Sequence, residues 1–278
     1  MHKLIKPVLI SLTAIGCATA LFIQSFPSGY TEHKELIEHL RGLMQKNTEL
    51  NADIVQIRQG SLKNYDTLED KLSEVNAILN ELKSGDNKIY GIGDPRIDDN
   101  LNNLTSLFTY KGDYITSFKL HNGLMRNSLD YLPSALDKLY STILKKDKNE
   151  VLHRRIEDSL RFTIMYTIKN EEKWRRDALA HINWLRKSAL EQPRKVKLAI
   201  RLLSDHMEVV INSSDKVDEL IMSISDHTTS KIESDLYQNY MTHYERKAAN
   251  VSPYSIGLYI LTLLLSIGIV VRPLINKD

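Results

Sequence analysis

The chain has 278 residues, with only 11 glycines, 7 prolines and one cysteine among them. So few turn formers exclude an all-β sandwich, and a lone cysteine excludes an internal disulfide or a cysteine-based zinc site. A net charge of +2 gives no global pull toward nucleic acid.

Pro7 to Phe26 carries no charge. It is about 20 residues long, the length that crosses a bilayer as a helix. Lys3 and Lys6 precede it, and positive flanks favour the cytoplasm. The expectation over 7–26 is an uncleaved signal anchor. Two other readings stay open: Ala18-Thr19-Ala20 resembles a signal-peptidase site, and Ala14-Ile15-Gly16-Cys17 a lipoprotein box. The apolar run continues past both through Leu21, Phe22, Ile23 and Phe26, which favours the anchor.

After Pro27-Ser28-Gly29 a heptad seam begins. Leu36, Leu40, Leu43, Asn47, Leu50, Ile54 and Ile57 step by alternating four and three, the spacing of a helix packed on other helices. Ser61, Tyr65, Leu68, Leu72, Val75, Leu79 and Leu82 carry it on. Two successive steps of four around Gly60 predict a stutter within one continuous helix. That helix ends near Lys83-Ser84-Gly85. Asp86 to Asp94 is a loop. A second helix starts at Pro95 with Asp94 as N-cap, and Gly112, Gly123 and Pro133 are expected to interrupt it. Lys145 to Asn149 is a polar turn, placed near the membrane. The third helix spans about Glu150 to Leu190, with Leu152, Ile156, Leu160, Ile164, Ile168, Trp174, Ala178, Ile182 and Leu185 inward. The fourth starts near Pro193 and carries Val196, Ile200, Leu203, Met207, Val210, Ser214, Val217, Ile221 and Ile224, then Thr228, Ile232, Leu236 and Tyr240 in steps of four, the drift of a straighter helix. Pro253 then separates it from a second uncharged segment, Val251 to Val271, followed by Arg272 and Lys277.

The fold class is therefore all-α: a long antiparallel helical bundle, or two stacked four-helix bundles, between two transmembrane helices. The predicted division is 7–26 and 251–271 as spans, 30–250 as an extracytoplasmic domain and 272–278 as a short cytoplasmic tail. Both termini then face the cytoplasm, and the domain is periplasmic at a bacterial inner membrane.

Polar side chains on packed helices are expensive unless they are used. Asn64, Tyr65 and Asp66 in the first arm, with Arg126, Asn127, Ser128 and Tyr131 in the second, are the candidate ligand-binding residues. A pocket between the first two helices competes with plain interhelical bonds that fix register. Tyr65 lies about 26 residues before the hairpin turn near Gly91, and Ser128 about 37 after it, so contact between the two stretches stays open. The histidines lack ligand spacing: His33 and His39 share no helix face, Asp205-His206 and Asp226-His227 are isolated pairs, and no metal or other cofactor is expected. Arg154, Arg155, Arg161, Arg175, Arg176, Arg186, Lys187, Arg194, Lys195 and Lys197 make one flank basic. The acids from Asp205 to Glu233 can complement it on the neighbouring helix. No Walker loop, nucleophile elbow or paired acid is present, so no enzymatic activity is expected.

Gly60-Ser61-Leu62-Lys63-Asn64-Tyr65-Asp66-Thr67-Leu68 and Leu124-Met125-Arg126-Asn127-Ser128-Leu129-Asp130-Tyr131-Leu132-Pro133, with the two-span layout, resemble the DAHL domain. This is an all-helical ligand-binding module of bacterial membrane sensors that usually precedes a histidine kinase. The resemblance implies a sensory domain over most of 30–250. The chain given stops at Asp278 with no kinase, methyl-accepting or cyclase segment, so an accessory or truncated relative of a receptor is expected. The expected partners are a small ligand or a periplasmic binding protein, a membrane sensor kinase, a second copy in a homodimer, and the membrane itself, with no nucleic acid. A structural scaffold for an envelope complex is the alternative.

Overall fold

In the computed structural model the described residues are 12–13, 15–17, 19–20, 30–86, 88–143 and 150–275, with side chains described except at 30, 142–143, 250–255 and 269–275. Most of the predicted anchor, the polar turn at 145–149 and the last three residues of the predicted tail lie outside the described residues. Among the described residues no strand occurs. The helices are α1 (Tyr30–Gln59), α2 (Asp66–Ser84), α3 (Pro95–Ile143), α4 (Glu150–Lys169), α5 (Glu172–Ser188), α6 (Arg194–Ile224) and α7 (His227–Ile275), with a 3-10 turn at Ala189–Glu191.

The heptad seam of α1 is its buried face: Leu36, Leu40, Leu43, Leu50, Ile54 and Ile57, with Asn47 among them. The predicted continuation beyond Gly60 is corrected by the backbone. Gly60 has φ +87°, a conformation that costs any residue with a Cβ. The N–H groups of Gly60, Ser61 and Leu62 all turn back to the Gln56 carbonyl, which closes the helix end. Asn64 Oδ1 then accepts the Asp66 N–H at 2.9 Å, an Asx turn from which α2 starts. The two steps of four mark a chain break, with no continuous helix to unwind.

α3 begins as predicted. Asp94 accepts the Arg96 N–H at 3.1 Å and binds its guanidinium at 2.9 and 2.6 Å. The bonded Arg96 side chain holds the Asp94 carboxyl down at about 2. The expected interruptions do not occur: α3 runs unbroken through Gly112, Gly123 and Pro133. A Cβ at Gly112 would press Leu72 Cδ2 at 3.2 Å, so that glycine serves close packing. Around Pro133 the buried Leu132, Ala135 and Leu139 outweigh one lost backbone bond, since each fully buried leucine contributes roughly 1.5–3 kcal/mol.

The predicted third helix is two helices. Asn170 has φ +49° and donates its N–H to the Tyr166 carbonyl at 2.8 Å, ending α4 before α5. The break also turns the inward face: Ile164 and Ile168 are exposed, while Thr163 and Tyr166 are buried. α6 ends at Ile224. α7 then continues as one helix through Pro253, where a separation was expected. Among the described residues no helix is long and apolar enough to cross a membrane. Side chains 256–268 of α7 nonetheless include Ile256, Leu258, Ile260, Leu261, Leu263, Leu264, Leu265 and Ile267, all exposed.

The chain divides into two compact units whose boundaries fall inside α1, α2 and α3 and between α6 and α7. The first comprises Met1–Asn47, Ser73–Leu107 and His227–Asp278. Its core includes Leu40, Leu43, Val75, Leu79, Leu82, Ile97, Leu101, Leu104 and Leu236. The Asn47 amide donates to Glu233 at 3.1 Å, a buried polar pair of the kind that fixes register. His33 stacks on Tyr244 with ring centroids 3.5 Å apart and lies 3.1 Å from the Tyr240 hydroxyl.

The second unit comprises Thr48–Leu72 and Phe108–Asp226. One of its clusters joins α1, α2, α3 and α6 through Leu50, Ile54, Leu68, Phe118 and Val217. The other joins α3, α4, α5 and α6 through Leu132, Leu139, Ile156, Ile182, Ile200 and Met207. The basic flank meets the acidic one: Arg186 binds Asp205 and Glu208 at 2.6 and 2.5 Å, and Arg175 binds Asp215 at 3.1 Å. Partly exposed pairs contribute about 0–1 kcal/mol each, so they orient α5 on α6 more than they stabilise it.

Burial holds the His33 ring below the ordinary 6.5. The unfolded chain then binds more protons than the folded one just under pH 6.5. The stability His33 supplies is complete above 6.5 and is lost as pH falls from there through the folded value. His33→Phe keeps the stack on Tyr244 and removes the titration. Thermal unfolding of the variant across this range is expected to show a smaller loss on acidification than the original protein.

Candidate functional site

The break between α1 and α2 sets the site. Its loop lies along α3, and two contacts fix it there. The Tyr65 hydroxyl accepts a hydrogen bond from the Asn122 amide at 2.8 Å. Arg126, one turn further on, lays its guanidinium over Gly60, where a Cβ would sit 2.2 Å from Nη2. The two predicted stretches therefore do meet, at Gly60 and Arg126, while Tyr65 bonds Asn122, two residues before the second stretch.

Beside this contact lies a cleft of about 580 Å³, within the range of small-molecule sites. The last turn of α1 contributes Arg58 and Gln59. One face of α3 contributes Met125, Arg126, Leu129 and Asp130. The end of α4 contributes Thr167 and Ile168, with Asn170 beyond it, and α6 contributes Asp218. Asn170, a non-glycine residue with left-handed backbone, lines the cavity, as does Gln59 next to the reversal at Gly60, and strained non-glycine backbone gathers at functional sites.

The two guanidiniums of the cleft are used differently. Arg58 is committed: Nε donates to Asp218 at 3.0 Å, and Nη2 donates to Ser214 Oγ at 3.0 Å and the Thr167 carbonyl at 3.4 Å. It ties α1 to α4 and α6. Arg126 Nε is buried with no hydrogen-bond partner, as is Asn122 Oδ1. Leaving a buried donor unmet costs about 1–3 kcal/mol, more when it is charged. Arginine cannot escape that cost by losing its proton. Asp130 is four residues along α3 and exposed, on the same helical face.

The candidate residues thus separate into groups. Tyr65 and Arg126 hold the break and the cleft. Asn64 and Asp66 are exposed and form the Asx turn. Asn127 is exposed and does not line the cleft. Ser128 and Tyr131 turn to His206 of α6: its Nδ1 is 3.2 Å from Ser128 Oγ, and the two rings lie 4.3 Å apart, a packed polar contact in the core.

Sequence reasoning missed Asn122, Arg58, Asn170 and His206. Asn122 had a legible signal. Ile115, Phe118, Asn122, Met125, Leu129 and Leu132 step by three and four, so a fully buried asparagine interrupts an apolar stripe. Arg58 follows the last seam residue of α1 and Asn170 sits in an ordinary polar run, so neither shows in a pattern. A further, part-buried network joins α4, α5 and α6. The Tyr166 hydroxyl donates to Asp215, which also accepts from Arg175 at 3.1 Å. Burial, then the Asp215 bond, push the Tyr166 hydroxyl far up, so it remains a donor. Among the described residues no three histidine, cysteine or acidic side chains converge as metal ligands would.

The chain matches the DAHL domain family over residues 29–255. No curated protein and no solved structure matches it.

Gly60→Ala combines a left-handed φ with a clash against Arg126. It is expected to destabilise the protein by roughly 2 kcal/mol or more in urea unfolding. In an Arg126→Ala background the clash is gone and only the backbone penalty remains, so the same change should cost less. Equal costs in the two backgrounds would show that Arg126 does not rest on Gly60.

Proposed function

The chain belongs to the DAHL domain family, and on that premise we propose that it is a membrane-tethered extracytoplasmic sensory domain whose ligand occupies the cleft beside the α1–α2 break. One observation carries the reading: a charged donor, Arg126 Nε, is buried without a partner on the wall of a cavity of small-molecule size. Among the described residues that line the cleft, Arg126 alone carries a buried atom of this kind, whereas the Arg58 Nε and Nη2 are met. A ligand that supplies an acceptor favours the arrangement of the α1–α2 loop, α3 and the α4 end in which the cleft is formed. Unequal binding to two arrangements is what a sensor requires.

Tethering is supported by the two uncharged segments and their basic flanks, and by the exposed apolar side chains along α7 from Ile256 to Ile267. Water does not favour such a surface on every side of a helix. Both termini then lie in the cytoplasm and the helical domain outside it, at a bacterial inner membrane. The sensed state is passed to a membrane kinase or a similar partner, and the domain itself performs no catalysis. A second reading, a helical scaffold or homodimer, is favoured by Tyr110, Tyr114 and Leu124, exposed at helical spacing along α3. Light scattering of the full chain separates a stable dimer from a monomer.

The test is hydrogen exchange on the full chain against a library of small organic acids, amines and sugars. A bound compound should slow exchange in peptides covering 56–66 and 164–171 together. Protection confined to other segments would contradict the assignment. For topology, a reporter active only outside the cytoplasm should work when inserted near Asp86 and stay silent after Asp278. An active fusion after Asp278 would refute the two-span arrangement.

A further inference from the structure

Resting on the cleft as the ligand site, we infer that its ligand is a small amphipathic carboxylate, with the carboxylate on Arg126 and the apolar tail on Ile168, Leu129 and Met125. The cleft's formal charges first suggest balance, with two arginines facing two aspartates. The balance is only apparent. Arg58 and Asp218 neutralise each other at 3.0 Å, at positions only about a fifth exposed, and Arg58 Nη2 is taken by Ser214 and Thr167. Arg126 retains a donor, and Asp130 is solvated. What the guanidiniums leave unmet in the cleft is therefore a demand for an anionic acceptor. A planar guanidinium meets a carboxylate with two parallel bonds.

The apolar half follows from the same wall. Ile168 is 68 % exposed, although its place in the helical pattern is that of a core residue. It lines the cleft, together with the half-buried Leu129 and the Met125 side chain. An exposed isoleucine at the rim of a cavity gains by covering, and a branched or linear hydrocarbon tail covers it. Asp130, one turn from Arg126 on the same face, can accept an α-ammonium group. Amino acids with apolar side chains therefore belong to the same class.

The experiment is calorimetric titration of the full chain in nanodiscs with isovalerate, isoamylamine, isoamyl alcohol, leucine and acetate at millimolar concentrations. These probes share or lack the carboxylate and the tail. Isovalerate is expected to bind, the amine and alcohol to bind much more weakly or not at all, and acetate to bind more weakly than isovalerate. Leucine binding at least as tightly supports the inference and assigns Asp130 to the ammonium. Arg126→Gln should weaken isovalerate about ten- to hundredfold, and Arg126→Lys less. Ile168→Ser, at an exposed position, should weaken isovalerate and leave acetate unchanged.

Should Arg126→Gln fail to fold, the comparison among probes on the unaltered chain still decides. An amine or alcohol that binds as tightly as isovalerate, while protecting 56–66 from exchange, overturns the carboxylate and leaves the cleft standing. Isovalerate binding unchanged in Arg126→Gln, with protection elsewhere, overturns both. No binding by any probe overturns the carboxylate assignment.

Discussion

A guanidinium keeps its charge at any pH a cell offers, so an arginine drawn between packed helices must find acceptors or leave an unmet demand. The second unit contains both outcomes within one cavity. Arg58 is answered by Asp218, Ser214 and Thr167, and through it α1 is fixed to α4 and α6. Arg126 is left with a buried, unanswered Nε. The surrounding chain is shaped around it. Gly60 is the residue that gives the guanidinium room, its left-handed backbone ends α1, and the released loop lets Tyr65 reach Asn122. The break, the cavity and the unmet donor are one structural feature.

Much of the fold was legible because apolar periodicity is a direct record of burial. Leu36 to Ile57 and Val196 to Ile224 are core as their spacing implies, and Asp94 and Pro95 start α3 as their chemistry dictates. What misled were the local breakers. Gly112 and Pro133 are tolerated inside α3 because tertiary packing on Leu72, Leu132 and Leu139 outweighs their intrinsic penalties. Asn170, an unremarkable residue in sequence, ends α4 because asparagine accepts a left-handed φ at small cost. Propensity set the expectation in both directions, and packing reversed it.

The site was partly legible for the same reason. Tyr65 and Arg126 stood out as polar residues on a packed seam, and they do meet the break. Ser128 and Tyr131 stood out equally, yet they serve a core contact with His206. Pattern alone cannot separate a polar residue that bonds a neighbour from one that awaits a ligand. The difference lies in whether each donor is met, a property of three-dimensional accounting. Asn122, a buried asparagine in an apolar stripe, was the sequence signal nearest to that distinction.

The most direct measurement is an experimental density map of the full chain purified from its own membrane, inspected at the Arg126 guanidinium. The account predicts density for a small molecule within hydrogen-bond distance of it, with Arg58 still bound to Asp218. A cleft closed by Arg126 pairing with Asp130, with no room left beside Gly60, would contradict it.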